Sequence, residues 1–359
     1  MIEVHDRPLI TFALFAYNQE KYIREAVEGA FAQTYEPLEI ILSDDCSTDG
    51  TFEIMKAMAA SYRGPHKVVL NKNPFNYGIG RHVNRVMDLA SGELIVFAAG
   101  DDISSANRTT AIYERWSADQ EVLYLHSNLV AFCDESSKQD LFRVAKLNKH
   151  QSLTTCQDLI AAIRSCGPEV RGCTEACHRS LFEVFGPLPP DIISEDRALP
   201  FRAMLIGKVA YIEENLVRYR VNAESAWGQL ISGDYFQSYA EDSRRRLMKL
   251  NQKLVVLSCF RKDLILAQQQ SLISDDLATD ALAAINAAVR LHRLKIIKQT
   301  GTLKMRIVAA IELHRHNTER RPTLRATLLD FIFAIAPSLH KRYYERRQRQ
   351  LWRELPNNE

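Results

Sequence analysis

Leu38-Glu39-Ile40-Ile41-Leu42-Ser43-Asp44-Asp45-Cys46-Ser47-Thr48-Asp49-Gly50-Thr51 is an apolar run that ends in two carboxylates and a Ser, Thr and Gly turn. Phe52, Met55, Met58 and Ala59 then recur at helical spacing. Runs like the first stand at Leu9 to Phe15, Lys67 to Leu70 and Leu94 to Ala99, without clean alternation, as suits strands covered on both faces. Helical stripes separate them: Tyr22, Ile23, Ala26, Val27, Ala30 and Phe31, with Asn18 as N-cap, and Val83, Val86, Met87 and Ala90 before Gly92. This succession predicts an α/β fold, a mainly parallel sheet flanked by helices.

With 359 residues, 46% hydrophobic and 25% charged, the chain is globular in composition. At roughly 150 residues per domain it holds about two domains, or one domain with a long appendage. A formal net charge of +2 gives no footprint for duplex binding, so nucleic acid is not an expected partner. The seven cysteines are scattered, with no CxxC, as expected of a reduced compartment. Cys173 and Cys177 read either as zinc ligands or as small buried residues, and no second ligand pair stands at finger spacing. Met1 to Thr11 lacks the layout of a signal peptide, and no run of about 20 apolar residues occurs. A cytoplasmic location is the expectation.

The middle section, about 122–221, contains the loop Phe185-Gly186-Pro187-Leu188-Pro189-Pro190. Beyond Asp234 Gly and Pro nearly vanish, and the chain to about Ile311 reads as long helices, a C-terminal α-helical extension. In the tail, Leu324, Leu328, Leu329, Phe331, Ile332, Phe333 and Ile335 precede Lys341, Arg342, Arg346, Arg347, Arg349 and Arg353, with Tyr343, Tyr344 and Trp352 interleaved. An amphipathic basic tail suits an anionic membrane surface; a helix packed on its own domain with a solvated basic end is the second reading.

Three acidic clusters fall where a parallel sheet presents its strand ends, the place where open α/β sheets bind ligands. After the second strand, Asp44 and Asp45 can accept hydrogen bonds from a nucleobase or ribose, or belong to a polar turn with Asp49 as helix cap. After the fourth, Gly100-Asp101-Asp102 places two adjacent carboxylates at the end of an apolar strand. That is costly unless a divalent ion shared with a diphosphate neutralises them, a capping role being the alternative. The third is Ile193-Ser194-Glu195-Asp196-Arg197. A carboxylate there, facing an anomeric carbon across from a leaving phosphate, can take the proton of an attacking hydroxyl, and one base with one in-line displacement gives inversion. Arg81, Arg179 and Arg220 are candidates to face the diphosphate, because guanidinium groups bind phosphate bidentately, or they are ordinary surface arginines. His82, His126 and His178 read as structural.

The order of motifs resembles glycosyltransferase family 2. It opens with Phe15-Ala16-Tyr17-Asn18-Gln19-Glu20-Lys21-Tyr22-Ile23, Ala32-Gln33-Thr34-Tyr35 and Asp44-Asp45-Cys46-Ser47-Thr48-Asp49-Gly50-Thr51. It continues through Asn76-Tyr77-Gly78, Asn84, Ala90-Ser91-Gly92-Glu93 and Gly100-Asp101-Asp102, and covers about Leu9 to Val221. The resemblance implies a Rossmann-like GT-A fold and an inverting, nucleotide-sugar-dependent glycosyltransferase. Tyr17 would lie against the base, Asp45 would hydrogen-bond it and Phe15 would give main-chain contacts. Asp101 would reach the ribose or diphosphate, and Asp102 would ligate Mg2+ or Mn2+. Asp196 would be the general base, with Glu195 beside it. Where family members often carry Tyr-Arg-x-His, the His assisting the metal or diphosphate, this chain has Tyr219-Arg220-Val221-Asn222, so Asn222 stands in its place as a metal-side ligand through its amide; Gly100-Asp101-Asp102 also lacks the Asp-x-Asp form of many relatives.

The expected organisation is a catalytic domain over 1–225, with a nucleotide-sugar half to about 130 and an acceptor half beyond it, and a helical extension over 226–359. UDP- or dTDP-sugars are the expected donors, and a saccharide or lipid-linked saccharide of surface polysaccharide assembly the expected acceptor. No GxxxxGK[ST] exists, and Gly78-Ile79-Gly80 lacks the third glycine of a dinucleotide fingerprint. Nor does Ala16-Tyr17-Asn18-Gln19 supply the glycine-rich, basic loop of a nucleotidyltransferase. The competing reading is a catalytically silent scaffold in a membrane-associated assembly.

Overall fold

Strands β1 (Ile10–Ala16), β2 (Leu38–Asp44) and β4 (Leu94–Ala99) are buried along nearly their whole length, which only a sheet covered on both faces can provide. The computed structural model describes residues 7–133, 159–168, 170–221, 239–316, 341, 342 and 346. Five further strands, β3 (Lys67–Lys72), β5 (Ile103–Ser104), β6 (Val122–Phe132), β7 (Glu175–His178) and β8 (Lys208–Arg220), complete a sheet of order β3-β2-β1-β4-β7-β6-β8-β5. β3, β2, β1 and β4 run parallel, β7 is antiparallel to β4 and β6, and β6 and β8 are parallel. The chain builds outward from β1 to β3 and then crosses to β4 on the other side of β1. Crevices for ligands open at such a switch point, outside the carboxyl ends of the strands.

Helices α1 (Ile23–Phe31), α2 (Thr51–Ser61), α3 (Gly78–Leu89) and α4 (Arg108–Ser117) connect and cover the strands. Phe12, Leu14, Ile40, Leu42 and Val96 pack with Val27, Tyr35, Met55 and Trp116 in one core. The predicted strands hold to within a residue or two, the largest extension being β3, which runs on to Lys72. Asn18 is not the N-cap of α1: Tyr22 is, and Asn18 sits at φ 52°. Its side-chain oxygen accepts instead from Thr48 N at 2.8 Å, tying the loop after β1 to the loop after β2. Asp49 does act at the start of α2, accepting from Thr51 N at 3.0 Å.

After α5 (Leu159–Ser165) and α6 (Ser180–Phe185) comes α7 (Glu195–Ile206), and then the long helices α8 (Tyr239–Gln269), α9 (Asp275–Thr300) and α10 (Leu303–His316). The chain divides into two compact units, Met1–Asn222 with Ser258–Ala284, and Ala223–Leu257 with Ile285–Glu359. In the second, Arg290 pairs with Glu312 at 2.9 Å. Among the described residues no helix is long and apolar enough to cross a membrane. The apolar positions of the tail and its Arg347, Arg349 and Arg353 lie outside the described residues, as does Asn222.

Within the first unit a fully buried ion pair holds α7. Arg202 Nε and Nη2 meet Asp263 Oδ2 and Oδ1 at 2.8 and 3.3 Å, and Arg202 Nη1 donates to Gly186 O at 2.8 Å. Phe201 stacks on Phe260 with ring centroids 3.8 Å apart. Removing one partner of such a pair leaves a buried charge uncompensated. Asp263→Ala should therefore lower unfolding free energy by about 3–5 kcal/mol, read from urea midpoints, whereas an exposed pair such as Arg179–Glu183 should register about 0–1 kcal/mol.

Candidate functional site

The register of the parallel strands brings the first two acidic clusters side by side. Ala16 lies opposite Asp44 and Phe15 opposite Ala99. Asp45 N donates to Ala16 O at 2.9 Å, and Gly100 N donates to Phe15 O at 2.8 Å, so the loops after β1, β2 and β4 are tied together. A Cβ at Gly100 would press on Gln19 Oε1, Ile23 Cδ1 and Ala16 Cβ, so the loop closes tightly here. Tyr17, just past β1, is 45% exposed and free to take a planar ligand on its face. Phe15 is packed between His82 and Phe97, and its carbonyl is spent inside the sheet on Gly100.

Asp44 and Asp45 are both buried, and the protein itself satisfies them. Asp44 accepts from the Ser47 main-chain N and hydroxyl at 2.9 and 2.5 Å. Asp45 Oδ1 accepts from Asn73 Nδ2 and Tyr77 N, both at 2.8 Å, and Oδ2 accepts from Gly78 N at 2.9 Å. Asp45 thus fixes the first turn of α3. A carboxylate offers about four lone-pair sites, so one remains for a ligand.

The second cluster is built differently. Asp102 is 5% exposed; Oδ1 accepts from Arg220 N at 2.8 Å, while Oδ2 is buried without a hydrogen-bond partner. Burial, and then the neighbouring charge of Asp101, push its carboxyl well above the usual range. The thiol of Cys173 also bonds to it. Cys173 belongs to a 3-10 turn, Gly172–Thr174, and this turn links the second cluster to the third. A Cβ on Gly172 would stand 2.5 Å from Glu195 Oε1. Glu195 and Asp196 open α7 behind Ser194, both half-buried. Burial and then the Asp196 charge raise Glu195 to about 8. Burial raises Asp196 to about 6, with Arg197 and Arg171 drawing it back.

Two of the sequence-predicted arginines have other work. Arg179 donates to Ser91 O and Gly92 O, which precede β4. It therefore sits at the opposite end of the strand from Asp101, about 20 Å away at 3.3 Å per residue, and its guanidinium serves to hold the strand entrance. Arg220 is 1% exposed, between the Tyr22 and Phe132 rings, and donates to Asp101 O at 3.0 Å. It organises the acidic loop from behind. Arg81 is exposed on α3 and, with Lys72, Asn73, Tyr77 and Arg85, lines a cleft of about 480 Å³.

Sequence reasoning missed Gly172 and Arg171, whose positions follow only from folding, and it read Cys173 as a zinc ligand or a small buried residue, with no link to the acidic clusters. Among the described residues no group of three or more His, Cys, Asp or Glu stands together as a metal site, and Cys177 is buried in β7. His82 is structural, with Nε2 at 2.6 Å from Ser43 Oγ.

Comparison with known proteins agrees with this geometry. Residues 11–166 match the family model Glycosyl transferase family 2. The chain is 36% identical over 101 residues to Bacillus subtilis EpsE, covering 28% of this chain and 36% of that one. It is 34% identical over 94 residues to the Escherichia coli UDP-Glc:alpha-D-GlcNAc-diphosphoundecaprenol beta-1,3-glucosyltransferase WfaP, covering 26% and 36%. The alignments thus span little more than a third of either relative. Across 95% of this chain and 91% of the other, the fold superposes on residues 1–349 of Staphylococcus aureus TarS with a TM-score of 0.54 at 14% identity. The stretch that carries Tyr17, Asp44, Asp45, Asp101 and Asp102 is the one that matches the model of glycosyl transferase family 2.

Proposed function

We propose that this protein is an inverting glycosyltransferase that moves a sugar from a nucleoside diphosphate, a UDP- or dTDP-sugar, to a hydroxyl of a saccharide or lipid-linked saccharide in surface polysaccharide assembly. One observation carries the reading: a buried carboxylate oxygen without a partner at the switch point, on Asp102, is joined through the turn at Gly172 and Cys173 to two carboxyls of raised proton affinity, Glu195 and Asp196. Donor and acceptor classes draw support from WfaP, whose name gives UDP-Glc and a diphosphoundecaprenol-linked sugar. TarS, of related fold, has been solved with UDP-GlcNAc. The basic, aromatic tail supports contact with a membrane surface.

In this reading Tyr17 lies against the base, while Asp45, Asp44 and the Arg81 cleft border the nucleotide. Asp101 reaches the ribose or diphosphate. A divalent ion, Mg2+ or Mn2+, suits Asp102, since such ions take one or two protein carboxylates and fill their shell with phosphate oxygens and water; bound there, it would offset charge on the departing diphosphate. Asp196 takes the proton of the acceptor hydroxyl as that oxygen attacks the anomeric carbon. The bond from that carbon to the diphosphate oxygen breaks with its electron pair going to the diphosphate, and the anomeric centre inverts. Glu195 holds the adjoining position.

Thermal stability with UDP, dTDP, GDP and CMP, each with and without Mn2+, tests the reading: a ligand at about 100 times its Kd adds roughly 2.7 kcal/mol. A shift confined to one diphosphate and dependent on Mn2+ is expected; no shift with any of them would transfer the weight to the scaffold reading. Asp102→Ala should remove the Mn2+-dependent part of that shift. Asp196→Asn should cost about 10²–10⁴ in kcat with donor affinity retained, because the base acts only in the transition state. Since the base must be ionised and burial raises Asp196 to about 6, kcat/KM should hold above that pH and decline as pH falls through it. A flat profile down to about pH 4, the ordinary carboxylate value, would remove Asp196 from the role.

A further inference from the structure

Glu175, on β7, takes no part in the reaction above, yet its side chain is wholly buried beside the proposed base. Oε2 accepts a hydrogen bond from the Tyr124 hydroxyl at 2.5 Å, and Oε1 is buried without a partner. The side chain missing at Gly172 marks where Oε1 looks: a Cβ there would lie 3.9 Å from Glu175 Oε1 and 2.5 Å from Glu195 Oε1. Two carboxyl oxygens therefore border the one gap that the glycine leaves open.

Among the described residues no ion pair to the Glu175 side chain is formed. Arg108, on α4, acts on it by charge but directs its Nη atoms to Ser104 Oγ, Phe97 O and the main-chain carbonyl of Glu175, at 2.9, 2.7 and 3.4 Å. His126, opposite Glu175 in the β6 register, is held neutral by burial, which lowers it to about 4. Cys177 on β7 is also neutral, its thiol pushed up by burial. From α7 come only Glu195 and Asp196, both acidic. An ionised Glu175 would be a buried charge beside two further carboxyls, an arrangement folded proteins avoid by neutralising the group. Burial, followed by Glu195, indeed pushes its carboxyl well above the ordinary range.

We propose that Glu175 works as a neutral carboxylic acid, a positioning residue whose Oε1–H faces the Glu195 carboxyl oxygen across the Gly172 gap and keeps Glu195 set beside Asp196. The Tyr124 hydroxyl determines which oxygen carries the proton, because its hydrogen bond occupies Oε2 as an acceptor. The proposal rests on the reading of Asp196 as the base, and two measurements separate its failure from the failure of that reading.

The first needs no activity. A folded acid that keeps a proton the unfolded chain releases loses stability as pH rises above the unfolded value of about 4.3. Between about pH 5 and pH 8 the Tm of the full-length protein should fall progressively relative to Glu175→Gln; a constant gap means Glu175 is ionised in the fold and overturns the proposal. Should Glu175→Gln fail to fold, Tyr124→Phe replaces it. Loss of the donor to Oε2 raises proton affinity further, so its Tm should keep falling to a higher pH than that of the wild type; an unchanged window overturns the proposal. The second measurement is transfer by the variants. Glu175→Ala should lose about tenfold or more in kcat with donor KM retained, and Glu175→Gln, neutral and able to donate, should recover most of the loss. A glutamine variant as poor as the alanine one would show that charge is required and overturn the assignment. If the wild type transfers nothing, the glycosyltransferase reading fails while the stability comparison still decides the protonation of Glu175.

Discussion

Carboxyl groups withdrawn from water need a hydrogen-bond donor, a cation or a proton, and the site follows from how each one is supplied. The sheet creates the demand: β1, β2 and β4 end in register, so Asp44, Asp45, Asp101 and Asp102 emerge together at a mostly buried edge. The loops then differ in what they provide. Backbone N–H groups at the start of α3 serve Asp45, the Ser47 turn serves Asp44, and the returning strand β8 brings Arg220 N to Asp102.

Arg220 shows how far the arrangement depends on distant parts of the chain. Its guanidinium lies over the Tyr22 and Phe132 rings, donates to Asp101 O and pairs with Glu25 at 3.2 Å. One side chain thus joins the loop before α1, the end of β6 and the acidic loop after β4. Its main-chain N–H meanwhile holds Asp102. A lysine would keep the charge but not the fork, since an ammonium cannot stack between rings and bond a carbonyl in a fixed plane. On the far side, α7 is braced by Arg202 and Asp263, and Arg202 Nη1 also bonds the carbonyl of Gly186 in the Pro-rich loop. The proposed base and the acceptor-side loop therefore share one support.

The sheet and its acidic ends were legible in the sequence because apolar runs followed by Asp and Gly are local signals that burial enforces. Less legible was anything that depended on a partner far along the chain. Asn18 looked like a helix cap, since its neighbours in sequence are those of a cap; the donor it serves, Thr48, comes 30 residues later. Arg179 and Arg220 offered the right chemistry for phosphate, but sequence carries no record of which end of a strand a side chain returns to. Glu175 left only a faint mark, a charge within Thr174-Glu175-Ala176-Cys177, and its significance depends on Tyr124 and Gly172, which fold against it from separate elements.

Two Asp-Asp pairs with the same grammar, each closing an apolar strand, end up with opposite properties. Asp45 has three protein donors on its two oxygens, whereas Asp102 has one oxygen bonded and the other bare. The difference follows from what comes next in the chain. After Asp45 the neighbouring strand β3 leads into a helix whose first turn is rich in unsatisfied N–H groups. After Asp102 the chain passes directly into β5, a two-residue strand paired with β8, and no helix N-terminus opens there. A carboxylate satisfied by its own protein shapes a loop; one left bare in a buried position raises its own proton affinity and draws in whatever positive charge arrives. Under the proposed function the chemical end of the crevice would be at Asp102 and the recognition end at Asp45, and the path from one to the other runs across the end of β1, past the exposed ring of Tyr17.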